Sequence, residues 1–173
     1  ETGFHSLTAA VVHQRYKREA VAAAFRILGE GQLSLTKFLL VLDRPRDLKD
    51  FPGVLADVLR RADFRSDLYV FGNLAMDSLD YAGPRIDEGS KGVLLGVGDP
   101  VRDLPESFRG PLPAGVTEAR VFCPGCLVLQ GPPFPGSVSR GRAAADVAPI
   151  LAHPALEGWP LVVITDDAYF GLF

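Results

Sequence analysis

With 173 residues, 47% of them hydrophobic and 23% charged, the chain is long and apolar enough to close one well-packed domain or two small lobes without disulfide or metal staples. The same balance excludes disorder as its main description. A formal net charge of -3, with Lys and Arg scattered rather than striped, leaves no electrostatic footprint for DNA or RNA.

No apolar run nears the roughly 20 residues of a membrane-crossing helix, and the charged-then-apolar pattern of a signal peptide is missing, so the cytoplasm is the expected compartment. Two cysteines make no disulfide framework, and His5, His13 and His153 form no ligand cluster, so no metal site is expected from this chain alone. Residue 1 is Glu rather than Met, and the chain stops at the apolar run Tyr169 to Phe173. Both ends read as those of an excised piece whose apolar terminus docks on something else.

Along the chain, the small and β-branched run Leu7 to Val12 predicts a strand, and Arg15 to Arg18 turns it into a helix from Glu19 to Leu28. That helix has Val21, Phe25 and Leu28 as its apolar positions and Gly29 at the C-terminal cap. Lys37 to Leu42 is nearly continuous in apolar residues, as in a strand covered on both faces. A helix then begins near Asp50 with Pro52 in its first turn and Phe51, Val54, Leu55, Val58 and Leu59 at helical spacing. Leu68 to Phe71 reads as a short strand. This alternation predicts an α/β fold with right-handed crossovers, its sheet mixed but mostly parallel and flanked by helices.

Residues 99–118 hold several prolines and no period, and read as a linker or surface excursion. From about Ala119 the order restarts: Val121-Phe122, Cys126 to Gln130, a helix near Arg142 to Leu151, and Leu161 to Thr165 ending on Asp166. Residues 1–98 and 119–173 therefore read as two copies of a strand–helix–strand unit, the second truncated.

Four groups of residues invite chemistry. Cys123-Pro124-Gly125-Cys126 has thiol-redox spacing, but strand-like flanks around Pro-Gly favour a tight hairpin. Gly89-Ser90-Lys91-Gly92, with Gly96 and Gly98, could cradle a phosphate but matches no phosphate fingerprint, and reads first as a mobile loop with a solvated Lys91. Lys37 begins a strand, whereas open α/β sheets bind ligands at the carboxyl ends, where Asp43 and Asp166 stand. Asp77 and Asp80 read equally as a carboxylate pair or as turn formers. No nucleophile–base pair emerges from the residues alone.

Three blocks in order carry a resemblance: Phe4 to Val12 with Gln14-Arg15-Tyr16; Gln32 to Asp43; and Met76 to Pro84 with Gly89-Ser90-Lys91. Together they resemble the C-terminal domain of the UbiD family, the 3-polyprenyl-4-hydroxybenzoate decarboxylase-like enzymes, over roughly residues 3 to 98. The resemblance implies decarboxylation of aromatic or unsaturated acids with prenylated FMN and a divalent metal and potassium, as in ubiquinone or menaquinone biosynthesis. Its catalytic residues are expected outside this chain, in missing N-terminal flavin-binding domains, with no cofactor bound by this piece alone.

The resemblance further implies that this domain builds a homodimer or higher homo-oligomer, and that the complete enzyme associates peripherally with membranes. It places Gln32, Leu35, Thr36 and Phe38 along the substrate or cofactor cleft, with Leu35 standing where the family has Tyr. Two rival readings are a free-standing interaction or regulatory module of the same fold and, on Cys123 and Cys126, a small thiol-redox protein.

Overall fold

The computed structural model describes residues 6–16, 18–78, 80, 85–133 and 140–168, with side chains left out for 140–144. The readings placed on His5, Leu79, Tyr81 to Pro84 and the Tyr169 to Phe173 terminus lie outside the described residues. The chain divides into two compact units, residues 1–102 and 103–173.

The first unit contains β1 (Leu7–Val11), α1 (Glu19–Gly29), a 3-10 turn (Gly31–Leu35), β2 (Phe38–Leu42), α2 (Phe51–Arg61), β3 (Leu68–Ala75) and β4 (Glu88–Gly96). Its sheet runs β1-β2-β4-β3, with β1, β2 and β4 parallel and β3 antiparallel at the edge. Helix α1 covers one face and α2 the other. Ala20 and Ala24 pack with Leu39, Val41, Val93 and Leu95, while Val54 and Val58 pack with Leu40 and Leu42. Strand β2 thus buries Leu39 to Leu42 from both sides, as its continuous apolar sequence predicts.

Helix α2 starts where the sequence places it. The Asp50 carboxylate accepts from the Gly53 amide at 3.1 Å, and Pro52 sits in the first turn, where a missing N–H costs nothing. At its other end Arg102 Nη1 donates to Leu59 O and Ala62 O, 2.5 and 2.7 Å away, satisfying carbonyls the helix cannot.

Four expectations change. Helix α1 buries Ala20 and Ala24, whereas Phe25 is half-exposed and meets Phe71 edge-on at 5.6 Å; small residues are what let α1 lie close to the sheet. Gly29 is still helical, and the extended cap is Glu30. Strand β3 runs past Phe71 to Ala75 through an irregular register in which Asn73 takes a φ of 58°, a bulge that apolar alternation does not signal.

The largest correction concerns Gly89 to Gly96, which is no mobile loop but β4, pairing β2 on one side and β3 on the other. Its glycines mark close approaches rather than freedom. A Cβ on Gly96 would stand 2.6 Å from Val58 Cα, and one on Gly92 3.0 Å from the Phe38 ring.

The second unit contains β5 (Glu118–Cys123), β6 (Cys126–Gln130), α3 (Arg140–Leu151) and β7 (Leu161–Thr165), with strand order β5-β6-β7. β5 and β6 are antiparallel, and β6 and β7 parallel. Leu127, Leu129, Ile150 and Leu156 form its core together with Val116, from the proline-rich stretch. Both units hold a parallel strand–helix–strand, β1-α1-β2 and β6-α3-β7, and the hairpin strand β5 has no counterpart among the described residues ahead of β1. Mixed sheets flanked by helices make the fold α/β.

Replacing Gly96 by Val should push α2 off the sheet and lower the unfolding free energy by about 1–3 kcal/mol, read from urea melts followed by circular dichroism.

Candidate site at the amino-terminal edge of the sheet

Two hollows flank the first sheet, one at each end of its parallel strands. At the carboxyl ends lies a cleft of about 600 Å³ bordered by Gln14, Asp43, Arg61 and Gly98. Asp43 is there, but its Oδ2 accepts from Gln14 Nε2 at 3.1 Å and from Gly98 N at 2.8 Å, tying together the segments that follow β1, β2 and β4. Arg61 donates to Asp57 and Gly98 O, and Arg18 to Asp67 and Tyr69. These bonds are fold ties, although Gln14 Oε1 and Asp43 Oδ1 are left buried without a hydrogen-bond partner. Asp166 is exposed after β7.

At the amino-terminal edge the chemistry is different. A hollow of about 510 Å³ is walled by Phe25, Leu28, Leu35, Phe71 and Met76, with the cation Lys91 among them. Lys91 is 6% exposed, and its Nζ donates to Ser34 O and, at 2.8 Å, to Thr36 O. Burial pushes the Lys91 pKa below its ordinary value; the like charge of Lys37 adds to this and Asp80 opposes it. Lys37 Nζ meets Asp80 Oδ2 at 2.5 Å with both side chains largely buried. Asp80 pairs directly with the Lys37 ammonium and, through its charge, favours that of Lys91.

The four residues predicted to line a cleft do not converge on one point. Gln32 and Leu35 lie in the 3-10 turn, Gln32 exposed and Leu35 on the hollow. Thr36 is fully buried, with its hydroxyl 2.9 Å from that of Thr8, so its side chain holds the turn from inside. Phe38 opens β2 with its ring over Gly92; strand alternation puts it on the α2 face, opposite Lys37 and Lys91, and it is 51% exposed.

Lys91 is the residue that the sequence reading placed wrongly, solvated in a loop rather than buried in a strand. A lysine in an alternating strand between two glycines gives no helical or motif signal. Its spacing from Val93 and Leu95, at even offsets on the face that packs against α1, was the available clue.

In the second unit, Cys123 and Cys126 face each other across the Pro124-Gly125 turn, with Gly125 at a φ of 81° as a hairpin turn ending in Gly requires. Both thiols are buried and outside any disulfide, and the interaction with Cys123, with burial second, pushes the Cys126 thiol up. A redox pair wants its attacking cysteine at a helix N-terminus, whereas Cys123 ends one strand of a hairpin and Cys126 begins the next. Among the described residues no group of three or more His, Cys, Asp or Glu could hold a metal ion, and no helix is long and apolar enough to cross a membrane.

Residues 1–96 match the model of the 3-octaprenyl-4-hydroxybenzoate carboxy-lyase C-terminal domain. The chain belongs to this family. It is 47% identical over 167 residues to an uncharacterized protein of Chlamydia trachomatis, covering 96% of this chain and 27% of that one. A Chlamydia pneumoniae protein, named as a subunit of 4-hydroxybenzoate decarboxylase, is 46% identical over 167 residues, with the same coverage. The chain thus spans about a quarter of the length of these relatives.

Among solved structures, the UbiD-class enzyme HmfF from Pelotomaculum thermopropionicum in complex with FMN aligns with a TM-score of 0.49 and 19% identity, over 64% of this chain and 24% of that one.

Asp80→Asn removes the carboxylate paired with Lys37, and should cost about 3 kcal/mol of stability in denaturant melts. A second outcome follows from the lowered Lys91 pKa. The folded state releases that proton at lower pH than the unfolded chain does, so stability rises as pH climbs from the lowered value toward 10.5. Melts across that range should show wild type gaining stability relative to Lys91→Met as pH rises.

Proposed function

We propose that this chain is the C-terminal assembly and cleft-wall domain of a prenylated-FMN-dependent decarboxylase of aromatic or unsaturated carboxylic acids, of the quinone-biosynthesis type, and that it is silent by itself. The observation that carries the reading is the carboxy-lyase family match over residues 1–96. The chlamydial relative named for 4-hydroxybenzoate decarboxylase supports the substrate class.

Lys37, Lys91, Arg18 and Arg61 already serve internal acceptors, and among the described residues no group of three or more His, Cys, Asp or Glu could hold a metal ion. In this reading the flavin, its divalent metal and potassium, and the proton-transferring groups therefore sit on N-terminal flavin-binding domains of the longer polypeptide. When bound, the flavin supplies the electron sink for loss of carbon dioxide. This chain supplies walls on two sides of the sheet edge, Leu35 of the turn on the α1 side and Phe38 at the head of β2 on the α2 side, with Gln32 exposed on the turn and Thr36 fixing the backbone between them. An apolar wall excludes water and selects the acid by shape. Residues 1–98 carry this role and the homo-oligomer contact, and residues 119–173 form a separate appended unit.

The test is the complete gene product, supplied with prenylated FMN and assayed for carbon dioxide release from 4-hydroxybenzoate and other aromatic or unsaturated acids. The complete protein should turn over at least one of these acids, the isolated 173-residue chain none. Phe38→Ala should lower kcat/KM by about 10-fold or more. A folded, flavin-loaded complete protein that releases no carbon dioxide from any of them would leave the interaction-module reading in its place.

A further inference from the structure

The segment from Gln32 to Phe38 is an irregular piece of backbone, yet it is held from several sides. Thr36 N donates to Leu33 O at 3.1 Å, closing the 3-10 turn, and Phe38 N donates to Ser6 O at 2.8 Å. Gly92 N donates to Lys37 O at 2.8 Å, and the Thr8 and Thr36 hydroxyls meet. One side chain from a distant strand then grips the turn itself. Lys91 Nζ donates to the carbonyls of Ser34 and Thr36, which lie 57 and 55 residues earlier in the chain.

These carbonyls belong to the Ser34–Leu35 and Thr36–Lys37 peptide groups, so one ammonium ties the peptide that enters Leu35 to the peptide that leaves Thr36. An apolar side chain in β4 could fill the same volume without the desolvation penalty that pushes the Lys91 pKa down. Only a buried multiple donor can satisfy two carbonyls at once. Leu35 and Lys91 also line the same hollow.

We propose that Lys91 is a positioning residue for the cleft wall: its ammonium, clamped on Ser34 O and Thr36 O, sets where Leu35 stands and thereby which acids the wall admits. The inference rests on the reading that the Gln32 to Phe38 segment faces the substrate. The buried Lys37–Asp80 pair joins the same strand end to the segment after β3, and keeps a carboxylate close enough for Lys91 to hold its charge.

The experiment compares wild type, Lys91→Met, Lys91→Arg, Leu35→Ala and the Leu35→Ala/Lys91→Met double variant in the complete protein with prenylated FMN. Where Lys91→Met does not fold, Lys91→Gln takes its place. The first readout needs no activity: by hydrogen-exchange mass spectrometry, Lys91→Met should speed exchange in the peptide containing Thr36 by about tenfold or more, with the Leu39 to Leu42 peptide unchanged. Unchanged exchange at Thr36 overturns the clamp.

The second readout is kinetic. Lys91→Met should raise KM by about tenfold or more with a smaller change in kcat, Lys91→Arg should recover most of the loss, and the double variant should be no worse than Leu35→Ala. If Leu35→Ala shifts KM while Lys91→Met leaves it within about twofold, or if the two effects simply add, the positioning role fails. If neither variant nor Phe38→Ala moves KM, the cleft-wall reading itself fails, whatever the exchange data say about the clamp.

Discussion

The first unit depends on a buried ammonium group. Lys91 stands inside the central strands of a sheet, where desolvation works against its charge, and its donors serve carbonyls of a turn more than fifty residues away in sequence. Removing the charge would leave polar backbone buried without its partner, and removing the carbonyls would leave a buried cation. Each half makes the other tolerable. The turn, β2 and β4 are thereby locked into one arrangement, with Asp80 and Lys37 as the adjoining charge pair.

Glycine makes that arrangement possible. Gly92 lets the Phe38 ring lie against β4, and Gly96 lets the backbone of α2 at Val58 come close to the same strand. A β4 with larger side chains would lift Phe38 and α2 away, and the face carrying Leu40, Leu42 and Leu94 would lose its cover. The two glycines and the lysine between alternating apolar residues are thus a single device. The glycines set the distance and Lys91 sets the direction of the segment across the edge.

The sequence made the start of α2 legible, because Asp50 and Pro52 act through local backbone chemistry. It made β2 legible because burial on both faces leaves a continuous apolar run. It failed at β4, where Gly89, Gly92 and Gly96 carry the signature of a loop, since glycine serves both chain freedom and close approach and only the partner strand tells which. Phe25 was misplaced for a related reason: two alanines, Ala20 and Ala24, are the buried stripe of α1, and small residues weigh little in a hydrophobic pattern. The family resemblance pointed to the segment Gln32 to Phe38. It did not show that Leu35 and Phe38 lie on opposite faces of the sheet, nor that the turn hangs on Lys91.

Nuclear magnetic resonance of the lysine ammonium groups tests the central claim most directly. In a ¹⁵N-lysine sample, the Lys91 ammonium should give a resolved signal whose protons exchange slowly with water, with through-hydrogen-bond couplings to the Ser34 and Thr36 carbonyl carbons. Exposed Lys49 should give none. A Lys91 signal that exchanges as fast as that of Lys49, with no coupling to either carbonyl, would contradict the account.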